Sequence, residues 1–318
     1  MEGARAHVAS GRGMTPDPLV AGDLIAERRF AYAKAAADGG DFAAAADLFE
    51  QALERAPHWA AGWFALGEAR EKLGVLDASA EAFRMCLAAD PADSQGAAAR
   101  LALVGRTDAP VALPQAYIAR LFDDYAARFD KHLTNNLGYR GPALIADALS
   151  AAAPGRRFAS ALDLGCGTGL MGAALRGQVD RLAGVDLSPA MIAKARERGL
   201  YDRLIIGDAT AALKDEPPGG FDLILGADAL VYIGDLAPLF AAAADALAPK
   251  GLFAFSVELF DGDGFKLKPT MRFAHSRLYV EAAAREAGFR PLLVRLASTR
   301  RELGADAPGL ICVFGREM

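Results

Sequence analysis

Cysteine, histidine and tryptophan are scarce in this chain, at three, four and two residues, and each scarcity closes a route. Cys86, Cys166 and Cys312 lie too far apart for a ligand spacing or a disulfide framework, so reduced thiols and a cytoplasmic location are expected. His7, His58, His132 and His275 are equally scattered, no metal is assigned, and no closely spaced cysteine triplet could hold an iron-sulfur cluster. Cations are in deficit, with 35 Lys and Arg against 40 Asp and Glu. A phosphate backbone is gripped by clustered cations, so no nucleic-acid partner is expected. No stretch of about 18 residues runs without a charge, which speaks against a membrane span. The first residues, with Arg5 and Arg12, lack the apolar run of a signal peptide, and residues 1–20 read as a flexible tail.

What the chain does have is 53% hydrophobic residues over 318 positions, enough for two modest domains or one large one. A 34-residue period links Gly40 with Gly74, Ala45 with Ser79, Phe49 with Phe83, Leu53 with Leu87 and Pro57 with Pro91. Small residues at 45 and 79 let paired helices approach, Phe49 and Phe83 fill the groove, and the prolines end the second helix of each pair. The period and residue types resemble two tetratricopeptide units over residues 21–106, with a closing helix over Ala92 to Val104. Such a pair is either a docking surface or an Ala-rich helical support. Residues 107–116, with Pro110 and Pro114, read as a linker.

From Tyr117 the texture changes to short apolar strands spaced by helices: 160–164, 181–185, 203–206, 221–226 and 252–257. That alternation predicts an α/β fold with a parallel sheet covered on both faces. After a helix over Ser276 to Ala287 come strands 291–296 and 309–314 with no helix between them, so these two should pair antiparallel.

The first strand runs into Asp163-Leu164-Gly165-Cys166-Gly167-Thr168-Gly169, where glycines let backbone approach a ligand and a helix start offers free N–H groups. Asp186 ends the second strand, where a carboxylate can accept from both ribose hydroxyls, and Asp208 ends the third, within reach of an adenine amino group. Each aspartate has a second reading as the N-cap of the next helix. A nicotinamide site would need Gly at the sixth position of the turn, which is Leu170.

Together these motifs resemble the class I S-adenosylmethionine-dependent methyltransferase family from about Tyr117 to Phe314. The resemblance implies a Rossmann-like seven-stranded sheet with an antiparallel last strand, and S-adenosylmethionine as cofactor. It implies that Asp163, Gly165, Cys166, Gly167 and Gly169 surround the methionine part, that Asp186 holds the ribose, and that Leu187, Met191 and Ala209 flank the adenine beside Asp208. Residues 117–318 would form the domain, with 117–150 as N-terminal lid helices whose Tyr125 and Phe129, at i and i+4, cap the cofactor. The whole chain resembles a predicted bacterial group that joins tetratricopeptide repeats to this domain.

Methyl transfer from a sulfonium needs orientation and desolvation first, and a base only if the acceptor must lose a proton. Asp228-Ala229-Leu230-Val231-Tyr232 lacks the Asn/Asp-Pro-Pro-aromatic element of amino-methylating enzymes, which leaves oxygen or carbon of a small molecule ahead. His275 and Tyr232 are the catalytic candidates, on loops expected to rim one crevice. Packing or capping of the late helix is the other reading of His275. Glu258 reads as a solvated loop carboxylate, and Arg140, Arg272 and Arg277 are candidates for an anionic substrate. Two rivals remain: a protein or carrier-bound substrate docked by the repeats, and a repeat-based adaptor with a non-catalytic fold.

Overall fold

The computed structural model describes residues 17, 19–130, 138–302 and 305–317. Most of the expected tail, and His7 and His132, lie outside the described residues. The chain forms two compact units, residues 1–91 and 92–318.

The first unit is four helices in two hairpins: α1 Leu24–Asp38, α2 Phe42–Leu53, α3 Ala60–Lys72 and α4 Leu76–Ala89. Asp23 caps α1 by accepting from the Ile25 and Ala26 amides. The Arg55 guanidinium grips the same carboxylate and holds it well below the usual range. In the second hairpin a Cβ at Gly67 would lie 2.5 Å from the Phe83 ring, so only glycine lets that ring seat between the helices. The Ser79 hydroxyl donates to the Gly67 carbonyl at 2.8 Å. Phe49, buried against Phe30, fills the corresponding place in the first hairpin.

The second unit takes in α5, Ala97–Leu103, which the sequence had placed with the repeats. Ala99 of α5 is buried with Leu113, Ile118, Leu267 and Phe273, all residues of the second unit. Next come α6 Gln115–Tyr125, α7 Gly141–Ala152 and β1 Phe158–Leu164. The alternating part continues with α8 Leu170–Leu175, β2 Val179–Asp186, α9 Pro189–Glu197, β3 Arg203–Ile206, α10 Ala209–Lys214, β4 Phe221–Gly226, α11 Ala237–Ala246 and β5 Leu247–Leu259. Two strands absent from the sequence reading follow, β6 Phe265–Lys268 and β7 Arg272–His275. The unit closes with α12 Arg277–Glu286, β8 Phe289–Ala297, the two-residue strands β9 Arg301–Glu302 and β10 Ala305–Asp306, and β11 Gly309–Arg316.

The sheet order is β3-β2-β1-β4-β5-β11-β8, parallel through β5, with β11 antiparallel to both neighbours. β4 stops at Gly226, and β7 takes over that edge of β5, pairing in parallel at Glu258 and Leu259. β6 then pairs antiparallel to β7. Period-two alternation separates the two faces. Leu162, Leu164, Phe253, Phe255 and Phe314 pack on one side around Phe240 of α11. Ala161, Leu223, Leu225, Ala254 and Val313 pack on the other against Ile145 and Leu149 of α7. The tips of β1 to β5 are thereby brought to one end of the sheet, where open α/β folds place their ligands.

Candidate active site

At those tips lies a cavity of about 310 Å³, lined by Gly165, Gly167, Asp186, Leu187, Asp208 and Ala209 from the first three strand ends. Tyr125 and Phe129 line it too, beside Phe122 and Tyr232, and Tyr139, Asp228, Arg272 and Arg300 complete its far side.

The glycine turn is shaped by backbone. Gly165, Gly167 and Gly169 all have positive φ, at 64, 53 and 92°, a region closed to most side chains. The Gly167 amide donates to one oxygen of Asp186 and the Ser188 amide to the other, both at 2.9 Å. Burial raises the Asp186 carboxyl, against which those two amides act. A Cβ at Gly167 would meet nothing nearer than Phe129 at 3.9 Å, so the turn is an open cradle facing the cavity. Below it, Asp163 is fully buried and accepts from the Tyr201 hydroxyl at 2.6 Å, while its other oxygen has no hydrogen-bond partner among the described residues. Burial pushes that carboxyl up to about 7. The open glycine cradle fits a ligand that lies close against backbone, with the Asp163 carboxylate buried behind it.

The aromatic cap is continuous: Tyr125 meets Phe129 edge-on at 5.2 Å, Phe129 meets Phe122 at 6.0 Å, and Phe122 meets Tyr232 at 5.6 Å. Two carboxylates fix this segment to the sheet. Asp123 accepts from the Ser188 hydroxyl at 2.5 Å and from the Ala190 amide. Asp130 accepts from Thr168 at 2.5 Å and pairs with Arg198, which also donates to the Thr168 carbonyl. The sequence reading missed Tyr139, Arg300, Arg198 and Tyr201, which carry no local spacing signal. Asp123 and Asp130 flank Tyr125 and Phe129 in the expected lid segment, where only the aromatics were singled out.

The far side is ionic. Glu258, on β5, is 4% exposed and bonds Lys268 at 2.8 Å, Arg272 at 2.5 Å and Arg300 at 2.8 Å. Burial alone would raise its carboxyl, but the arginine charges and the Lys268 bond outweigh that and hold it at about 2. Its expected description as a solvated loop carboxylate is thus corrected. Arg272 also donates to the Tyr232 hydroxyl at 3.1 Å and lies over that ring at 5.2 Å. Asp228 has a positive φ of 55° and accepts from Ser256 at 2.9 Å and Thr299 at 3.0 Å.

Other expectations are redrawn. His275 is not on a rim loop: it ends β7, is fully buried and does not line the cavity. Its Nε2–H is shared between the Ile233 and Gly234 carbonyls at 2.9 and 3.1 Å, its ring stacks on Tyr279, and burial lowers it to about 4. The cap of α12 is Ser276. Asp163, Met191, Cys166 and Gly169 also do not line the cavity: Asp163 and Met191 are fully buried, and Cys166 is 5% exposed with its thiol pushed up by burial. Asp208 lines the cavity and also caps α10, accepting from the Ala211 amide at 2.8 Å. Arg140 donates to the Ser298 carbonyl at 3.1 Å, and Arg277 pairs with Glu281. Among the described residues no helix is long and apolar enough to cross a membrane.

Residues 161–251 match the family model described as a methyltransferase domain. Among curated proteins, methyltransferase-like protein 27 of Homo sapiens is 40% identical over 111 residues, 34% of this chain and 45% of that protein. The malonyl-[acyl-carrier protein] O-methyltransferase of Salmonella typhimurium is 31% identical over 139 residues, 44% of this chain and 52% of that protein. The chain thus spans about half the length of these curated relatives. In fold, it resembles a Burkholderia thailandensis 1,6-didemethyltoxoflavin-N1-methyltransferase solved with its substrate and S-adenosylhomocysteine. That likeness has a TM-score of 0.52 and 22% identity, covering 67% of this chain and 94% of that one. Within the second unit, residues 161–251 thus match a methyltransferase domain, carried on a mostly parallel sheet with antiparallel end strands.

Proposed function

We propose that the protein transfers a methyl group from S-adenosylmethionine to an oxygen or carbon of a small molecule. The observation that carries this is the turn of Gly165 to Gly169 tied to Asp186 through the Gly167 amide, opening on a cavity of small-ligand size. When bound, the cofactor supplies an electrophilic methyl on a sulfonium. Gly165 and Gly167 would hold its methionine part with Asp163 beneath, Asp186 its ribose, and Leu187, Ala209 and Asp208 its adenine. Phe122, Tyr125 and Phe129 would exclude water, which favours a reaction in which the sulfonium charge disappears. Tyr232 stands on the acceptor side, where its hydroxyl accepts from Arg272 and its ring can position the acceptor.

The two helical hairpins we read as tetratricopeptide units, on their 34-residue period and on the seating of Phe83 against Gly67. A second reading, a carrier-bound acceptor docked by these helices, draws support from the Salmonella relative, whose name records such a substrate. Calorimetry with S-adenosylmethionine, S-adenosylhomocysteine and the nicotinamide cofactors tests the assignment. Binding of the two sulfur compounds alone is expected, and failure of both to bind overturns it.

A further inference from the structure

The strand order divides the cavity in two. The tips of β1, β2 and β3 bring the glycine turn, Asp186 and Asp208, all assigned above to the cofactor. The tips of β4 and β5, with β7 beside them, bring Asp228, Tyr232 and Arg272, and Arg300 joins them. The acceptor must sit in this second half, whose chemistry is cationic under an aromatic cap.

Arg272 is the group that half leaves incomplete. Its side chain is 14% exposed; Nε donates to Glu258 and Nη1 to the Tyr232 hydroxyl. Nη2 has no hydrogen-bond acceptor among the described residues, and the Asp228 carboxylate stands 4.0 Å away. The single Thr299 hydroxyl lies 3.0 Å from both Asp228 oxygens, and the Ser256 hydroxyl donates to one of them. Glu258 does not need Arg272 for neutralisation alone, because Lys268 and Arg300 bond it as well. Leaving a buried guanidinium donor unmatched costs free energy that an incoming acceptor would recover. A planar fork of fixed charge suits a carboxylate.

Resting on the reading above, we propose that the methyl acceptor is a small organic acid whose carboxylate is held by Arg272. Tyr232 and Phe122 would cover its carbon skeleton, and Tyr139, whose phenol burial keeps protonated, would stand beside the anion as a neutral donor.

The test uses the full chain, first titrated with S-adenosylhomocysteine and then, in that loaded form, with benzoate, 3-phenylpropanoate and hexanoate, each against its primary amide. At least one acid is expected to bind about tenfold or more tightly than its amide. The preference should vanish in Arg272→Met and return in part in Arg272→Lys. If no acid exceeds its amide in the parent protein, or if the preference survives in Arg272→Met, the proposal is overturned. Failure of the first titration sinks the cofactor assignment instead, so the two ideas fail separately.

Discussion

In the half of the cavity formed by β1, β2 and β3, ligand groups are met by backbone: glycines at positive φ, with two amides turned onto Asp186. In the half formed by β4, β5 and β7, they are met by side chains, with Glu258 binding three cations and Asp228 binding two hydroxyls. Backbone geometry is set by a short run of sequence, so the first half serves one ligand wherever that run recurs. Side-chain charge is assembled from residues 228 to 300 and can change one residue at a time, so on the reading proposed here substrate choice belongs to the second half.

The largest way to break this contrast is Glu258→Gln. It leaves Lys268, Arg272 and Arg300 clustered without their shared carboxylate, and a loss of roughly 3–5 kcal/mol is expected in denaturant unfolding. A loss under 1 kcal/mol would mean the ionic half is far wetter than its burial implies.

Acid titration sharpens it next, because Asp163 on β1 and His275 on β7 are displaced in opposite directions. His275 is lowered from 6.5 to about 4, so the unfolded chain takes up its proton first. Its contribution is complete above 6.5 and is lost as pH falls toward 4, by roughly 3 kcal/mol at most. Asp163 is raised from 3.8 to about 7, so its contribution is present below 3.8 and is lost as pH rises through 7. Relative to the parent, Asp163→Asn should become more acid-labile between pH 6.5 and 4, and His275→Phe less so, in unfolding measured across that range. Parallel profiles for all three would refute both assignments.

Asp186→Ala removes the acceptor of two backbone amides and, on the reading proposed here, the ribose contact. A 10- to 100-fold loss of S-adenosylhomocysteine affinity is expected by calorimetry, at roughly 1.5–3 kcal/mol. Benzoate or hexanoate affinity, measured at saturating S-adenosylhomocysteine, should barely move. The smallest effect belongs to Thr168→Val, which loses the hydroxyl donated to Asp130 and should weaken cofactor binding by about 1 kcal/mol, near fivefold.

The same contrast explains what could be read from the sequence. The parallel strands were legible as continuous apolar runs, and the antiparallel pairing of β8 with β11 followed from the short connection between them. Gly165, Gly167, Asp186 and Asp208 were legible because they fall at strand ends a helix apart. The β6–β7 hairpin was not, since four-residue strands such as Phe265-Lys266-Leu267-Lys268 carry too little alternation to stand out from a loop. Missing it put His275 on a rim loop instead of at the end of a strand, and left Arg272 as one of three arginines offered for an anionic substrate with nothing to single it out. Arg300 and Glu258 meet across 42 residues, a distance no local pattern spans.

Tyr201 leaves a mark on how this domain can change over generations. A Cβ at Gly169, Gly172 or Gly184 would come within 3.0, 2.6 or 2.8 Å of its ring or hydroxyl. Two of those three glycines lie outside the turn and serve the tyrosine, not a ligand. Homologues with a small residue at 201 are then free to carry alanine or serine at 172, whereas a Cβ at 184 would still lie 2.9 Å from the Cys166 sulfur. An alignment should show positions 172 and 201 drifting together, with the hydroxyl retained wherever the acid at 163 is.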